Sequence, residues 1–196
     1  MTTQAWAVLL GAYLLGSIPS AYLVTRFVAG VDIRQIGDGN MGAKNTFESV
    51  GRLPGLVVGA ADIGKGALAV AMARHSNLPE NVVLWAGACV VLGHDFPLFL
   101  RFRDGQGMAA LIGVFGVLFP REMGLTLLIL GIVLAITHHW DLSCGIGFTL
   151  LPILLWLAGQ PSKRVLYPVL LLPTIGVKKL MAVWQGRHAG PSEETA

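Results

Sequence analysis

Three clusters of polar residues interrupt an otherwise apolar chain, and each is built from residue types that handle anions. The first is Gly37-Asp38-Gly39-Asn40-Met41-Gly42-Ala43-Lys44-Asn45. Glycines at 37, 39 and 42 let the backbone turn tightly and aim its N–H groups at an anion. The side-chain amides of Asn40 and Asn45 add donors for a phosphate or an oxyanion. A bare connector between two helices does not need nine residues of this density.

The second cluster runs from Gly93-His94-Asp95-Phe96-Pro97 to Arg101-Phe102-Arg103-Asp104-Gly105-Gln106-Gly107. A glycine turn beside an arginine, just before the next apolar stretch, suits a phosphate held at a helix amino terminus. Arg103, Gly105, Gln106 and Gly107 are the candidates there. Arg101 reads instead as an interfacial anchor, and His94 as a base, a ligand or a satisfied histidine at a helix end. The third cluster, Asp62-Ile63-Gly64-Lys65-Gly66, lies inside an apolar stretch. A carboxylate and an ammonium three residues apart share one helix face and can pair. Ionisable groups in such a setting are costly unless they are paired or line a wet cavity. The pair is therefore either functional or a joint between two helices.

Other chemistries find no support. His138-His139-Trp140-Asp141 places two histidines side by side, a poor chelate, and no metal site is expected. No G-x-S-x-G occurs, and no histidine is followed five residues on by aspartate. Cys89 and Cys144 have no ligand spacing and read as packed free thiols.

The elements that must position these clusters are apolar. Hydrophobic residues make up 54% of the 196-residue chain and charged residues 13%, with a mean hydropathy of +0.67. A soluble domain carries about a quarter charged residues. The chain is accordingly read as an all-α, polytopic membrane helix bundle with short cytoplasmic glycine-rich loops. Apolar stretches at about 5–27, 53–73, 81–100, 108–120, 123–140, 145–159 and 165–185 give about seven spans, the fourth and sixth short. Residues 1–189 form one expected domain and 190–196 a disordered tail. With the amino terminus outside, Arg26, Arg34, Lys44, Arg52, Arg101, Arg103, Lys178, Lys179 and Arg187 are cytoplasmic. Arg74, Arg121, Lys163 and Arg164 then lie outside, which favours a cytoplasmic carboxyl terminus. The net charge of +3 is attributed to this asymmetry and to lipid headgroups, with no nucleic acid as partner.

In order and spacing, these segments resemble the bacterial membrane acyl-phosphate:glycerol-3-phosphate acyltransferases over nearly the whole chain. The resemblance rests on Gly16-Ser17-Ile18-Pro19, Asp32-Ile33-Arg34, the Gly37–Asn45 loop, Asp62-x-x-Lys65-Gly66 and Gly93-His94-x-Phe96-Pro97 through Gly107. It implies a seven-helix inner-membrane enzyme that moves a fatty acyl group from acyl phosphate to glycerol 3-phosphate. The products would be lysophosphatidic acid and phosphate, at the start of phospholipid synthesis. It implies catalysis by Asn40, Asn45 and Arg103. Substrate binding would fall to Gly37, Asp38, Gly39, Gly42, Lys44, Lys65, His94, Gly105, Gln106 and Gly107. No cofactor and no metal are needed, because acyl phosphate already carries a good leaving group. The partners are the two substrates and membrane lipids, with the oligomeric state open.

Several polar positions depart from the family pattern. Asp38 stands for a serine, Lys44 for a threonine, Glu48 for an arginine and Gln106 for a lysine. An arginine-histidine pair and an asparagine near the carboxyl terminus align loosely with Gly176 and Lys179. Asp38 and Glu48 set negative charge where phosphate should bind, and Lys44 and Glu48, four apart, can pair if helical. Two other readings follow: a weakened or inactive family member with a lipid-binding or regulatory role, or a small transporter built around Asp62 and Lys65.

Overall fold

The computed structural model describes residues 1–98 and 107–174. These fold into nine α-helices: α1 Thr3–Gly16, α2 Ser20–Ala29, α3 Ala43–Ser49, α4 Arg52–His75, α5 Glu80–Asp95, α6 Met108–Leu118, α7 Pro120–Thr137, α8 Trp140–Leu157 and α9 Ser162–Leu171. A 3-10 turn covers Ile33–Gln35. Among the described residues, four stretches are long and apolar enough to cross a membrane: Thr3–Ala29 taken across its break, α4, α7 and α8. α5 and α6 have 16 and 11 residues and are shorter than a full crossing. The expected tail, 190–196, and the loosely aligned Gly176, Lys179 and Arg187-His188 lie outside the described residues.

Two boundaries differ from the sequence expectation. The first apolar stretch is two helices rather than one. Pro19 lacks an N–H and disfavours helix at the residue before it, so α1 stops at Gly16, and Ser17 closes it by donating both its N–H and its hydroxyl to the Tyr13 carbonyl. The second difference is between α7 and α8, where the connection is only His138 and His139. Pro120 starts α7 early, as proline does at a first helical position. His138 ends it in the left-handed conformation, φ +56°. Ser143 and Cys144, expected in the connection, therefore lie buried within α8.

Glycines set how closely the helices approach. Gly66 of α4 sits against the Ala110 carbonyl of α6, and Gly113 of α6 against the Ile63 carbonyl of α4, so any side chain at either would collide with backbone. Such small-residue contacts let helix backbones meet where lipid gives no hydrophobic drive between them. These contacts also fix the level of α6. Its start is abreast of Gly66, while α4 began at Arg52, about 20 Å earlier at 1.5 Å per residue. α3 packs on that overhanging part of α4, Phe47 against Gly55.

Along the chain, helix ends alternate between two faces of the bundle. The loop between α2 and α4, the end of α5, the start of α6 and the α7–α8 turn share one face, called the glycine end below. The α4–α5, α6–α7 and α8–α9 connections share the other.

Candidate active site

The loop of residues 37–45 is held shut by its own side chains. Asn45, 1% exposed, sits in α3 with its amide under the loop. That amide donates to the carbonyls of Asn40 (2.9 Å), Ile36 (3.0 Å) and Ile33 (3.4 Å). Its carbonyl oxygen accepts from the Ser49 hydroxyl at 2.9 Å. Gly37, at φ +61°, passes directly over this amide, where a Cβ would strike the side chains of Asn45 and Ser49. Both the backbone angle and the space demand glycine there. Asn45 thus has its donors engaged by the loop, and holds its shape.

Asp38 has a comparable task. Its Oδ1 accepts the Asn40 N–H at 2.9 Å, an Asx turn that reproduces a backbone turn with a side chain. A serine hydroxyl makes the same turn more weakly, so the aspartate keeps the local geometry while adding a charge. Gly39 follows at φ +70°. Asn40, half-buried, is the loop amide whose side chain no bond of the loop engages, and with Gly42 beside it it borders the turn. Residues 43–49 are helical, yet no ion pair joins Lys44 to Glu48, and both are exposed. The two charges stay available to solvent or to a substrate.

Beside this loop lies a cavity of about 490 Å³ lined by Tyr22, Arg26, Val31, Asp32, Gln35 and their neighbours. Arg34 grips Asp32 with a fork of bonds, the shortest 2.6 Å, and its guanidinium lies 5.4 Å over the Tyr22 ring. That grip holds the Asp32 carboxyl below its ordinary range. Tyr22 and Arg26 were not singled out from sequence, since a lone tyrosine and arginine at the end of an apolar stretch look like ordinary interfacial anchors.

A second, buried group forms where four helices converge. Asp62 and Lys65 of α4 are 2% and 6% exposed, and Lys65 Nζ lies 3.0 Å from Asp62 Oδ1. Lys65 also donates at 3.0 Å to the Ile18 carbonyl, which lies in the break between α1 and α2 and accepts the Ser20 N–H as well. His94, in the last turn of α5 and 3% exposed, places Nδ1 3.7 Å from Asp62 Oδ1. Its neighbour Asp95 is fully buried and packs against Gly107, which caps the start of α6 at φ +68°. Tyr13 donates its hydroxyl to the Phe96 carbonyl at 2.9 Å, tying α1 to the same corner. Lys65, His94 and Gly107 are thereby brought together, with Asp95 and the Ile18 carbonyl as members that the sequence did not point out. Arg103, Gly105 and Gln106 lie outside the described residues.

Buried charges persist only when paired and hydrogen-bonded. Here the pair is closed over by a main-chain carbonyl and a histidine, which removes the motive for a transporter reading. The loop of 37–45 and the Asp62 group both belong to the glycine end, the first near the rim and the second about 15 Å along α4 from its start. Such an arrangement can seat a phosphorylated headgroup in the loop and an apolar chain between the helices.

A family model described as glycerol-3-phosphate acyltransferase matches residues 6–189. The chain is 42% identical over 179 residues to glycerol-3-phosphate acyltransferase 1 of Dehalococcoides mccartyi, covering 87% of this chain and 85% of that protein. It is 34% identical to the glycerol-3-phosphate acyltransferase of Desulforamulus reducens, covering 83% and 82%. Among solved structures, the glycerol 3-phosphate form of PlsY, an integral membrane glycerol 3-phosphate acyltransferase, superimposes with a TM-score of 0.84 at 26% identity, covering 94% of each chain. The lysophosphatidic acid form of the same enzyme gives a TM-score of 0.79.

Proposed function

The chain belongs to the glycerol-3-phosphate acyltransferase family, and we propose that it moves a fatty acyl group from acyl phosphate to the first hydroxyl of glycerol 3-phosphate. Acyl transfer to glycerol 3-phosphate is the family's reaction and belongs to phospholipid synthesis. The acyl-phosphate donor, the residues that act and the side of the membrane are our inference. The observation that carries it is the loop of 37–45, closed by Asn45 and Asp38 at the same end of the bundle as the buried Asp62 group, in a chain whose residues 6–189 match the family model.

The reaction asks little covalent chemistry of the protein. The glycerol hydroxyl attacks the acyl carbonyl carbon, a new ester C–O bond forms, and the bond from that carbon to the phosphate oxygen breaks. Phosphate leaves with the electron pair and accepts the proton that the hydroxyl gives up. The protein must bring two phosphorylated substrates into line and stabilise the oxyanion that develops between attack and departure. Asn40 is the candidate donor to that oxyanion. Asn45 keeps Asn40 and the loop backbone in place. Lys44 and Arg26 offer positive charge near the loop. Lys65 and Asp62 hold the α1–α2 break and the end of α5, which borders the second glycine segment.

The glycine end faces the cytoplasm in this reading, supported by the nine-to-four excess of arginine and lysine on that side. A reporter fused after Ala196 should be cytoplasmic and one within residues 76–79 external. The decisive assay uses the purified full chain in detergent with acyl phosphate and glycerol 3-phosphate, and without coenzyme A or metal. Lysophosphatidic acid and inorganic phosphate should appear in equal amounts. A folded protein that makes neither product overturns the proposal.

A further inference from the structure

We infer that the face of the bundle opposite the glycine end carries a second site, for the phosphodiester headgroup of an anionic phospholipid from the surrounding bilayer. A cavity of about 330 Å³ opens there, where the ends of α4 and α6 meet the starts of α5 and α9. Its rim is Arg74, Glu80 and Arg164, and its inner wall is apolar, with Leu78, Val83, Leu84, Leu118 and Phe119. That size lies at the lower end of ligand cavities and suits a headgroup with part of its glycerol.

The two guanidiniums are fixed by their protein contacts and still have N–H groups to offer. Arg74 donates to the Val117 carbonyl at 2.7 Å and to the Leu118 carbonyl at 3.4 Å, at the end of α6. Arg164 donates to Glu80 at 2.6 Å and to Gln160 at 3.0 Å. A guanidinium has five N–H groups, so about three on each remain for an incoming phosphate. The fork of an arginine matches phosphate oxygens in pairs. Glu80 also pairs with Lys163, so the rim and its surroundings hold Arg74, Lys163 and Arg164 against the carboxylates of Glu80 and of Glu122, which lies behind Gln160, and keep a net positive charge. That balance favours a net anion over a zwitterion.

Position selects a lipid over a soluble phosphate. The rim sits at the ends of apolar helices, the level of the membrane interface, and the wall behind it is hydrocarbon. Met72 of α4, Trp85 of α5 and Leu166 of α9 are all exposed close to this end of their helices. An exposed tryptophan within two turns of a helix start, as Trp85 is in α5, suits the headgroup boundary. A lipid seated here would bridge α4, α6 and α9, far from the glycine loops.

The test uses the full chain, stripped of lipid in a neutral detergent, with bound dioleoylphosphatidylglycerol counted by native mass spectrometry. One molecule should bind about fivefold more tightly than dioleoylphosphatidylcholine, and the double variant Arg74→Gln, Arg164→Gln should lower its affinity about tenfold. Leu78→Trp leaves both arginines in place and fills the cavity, and it should lose the lipid as well. It serves as the test if the double variant does not fold. Acyl transfer by Leu78→Trp should stay within about twofold of the parent, so failure of this site is separable from failure of the enzyme reading. Equal affinity for the two lipids overturns the inference, as does unchanged binding by Leu78→Trp. Displacement of the lipid by millimolar inorganic phosphate would also overturn it, because the site would then be one for small phosphate.

Discussion

Both faces of the bundle carry charge, but they use it differently. Opposite the glycine end, Glu80 pairs with both Lys163 and Arg164 while about a third or more of each side chain stays open to solvent. Such pairs are worth little, about 0–1 kcal/mol. At the glycine end the charges of Asp62 and Lys65 are 2% and 6% exposed, and their partners include a main-chain carbonyl from a broken helix. Breaking one partner of a buried pair costs about 3–5 kcal/mol. A membrane chain does not bear that liability at a place where any anchor would serve. The contrast separates exposed charge, which holds α9 and can meet a lipid headgroup at little cost, from buried charge that shapes the glycine end, a distinction that residue type alone cannot make.

The sharpest way to break the comparison is Asp62→Ala. It leaves Lys65 buried against one carbonyl and should destabilise the protein by about 3–5 kcal/mol, read as a lower midpoint of thermal unfolding in detergent. The double change Asp62→Leu, Lys65→Met removes both charges and should recover much of the stability. It should not recover acyl transfer, because the Ile18 carbonyl and His94 lose their shared anchor. Parental activity in the double variant would make the pair a structural joint only.

Next in size is the restoration of the family residues by Asp38→Ser, Glu48→Arg and Gln106→Lys. A serine still makes the turn that Asp38 makes, and the three changes together remove two negative charges and add two positive ones. These changes act on the binding of a substrate phosphate, where each 1.4 kcal/mol is about tenfold in affinity. A gain of about tenfold to a hundredfold in kcat/KM for glycerol 3-phosphate is expected, mostly through KM. A loss instead would mean that the acidic residues recognise the acceptor, and that the acceptor is not a phosphate monoester.

Asn45→Ala should have a smaller effect, spread over both stability and activity. Three carbonyls lose a common donor and Ser49 loses its acceptor, at a cost of about 1–3 kcal/mol. The loop would loosen, raising KM for glycerol 3-phosphate more than it lowers kcat. If Asn45 instead touched the oxyanion, kcat would fall and KM would hold, so the ratio of the two effects decides its role.

Much of this was legible in the sequence, for particular reasons. Apolar runs marked the helices because lipid tolerates little else, and glycine density marked the loop because only glycine reaches the required angles. The spacing of Asp62 and Lys65 announced their pairing, and the pair forms at 3.0 Å. What the sequence hid was carried by backbone. No pattern shows that the break at Pro19 sets the Ile18 carbonyl at the depth where Lys65 waits. Nor does one show that Asn45 faces into its own loop rather than out of it. A two-residue turn at His138-His139 was equally invisible, since residues other than glycine adopt a left-handed angle only uncommonly. Asp95 passed as part of a motif, and only the packing of Gly107 against it gives it a place.

The smallest effect is expected from Glu80→Gln, and it tests the other half of the comparison. The change removes the carboxylate that both Lys163 and Arg164 hold, while an amide oxygen can still accept from one of them. If this face is an anchor, the loss is less than about 1 kcal/mol, shrinks further in high salt, and leaves acyl transfer within experimental scatter. Tyr167, which donates to the Leu84 carbonyl at 2.8 Å, and Gln160, bonded to Glu122 at 3.2 Å, still tie α9 and its approach to the bundle. A salt titration of the thermal midpoint, run on parent and variant side by side, measures this directly. A large, salt-insensitive loss would place the Glu80 pairs among the buried kind, and a fall in activity would show that this face reaches the glycine end through α4 and α6. The two ends would then be coupled, and the division between anchor and site would have to be redrawn.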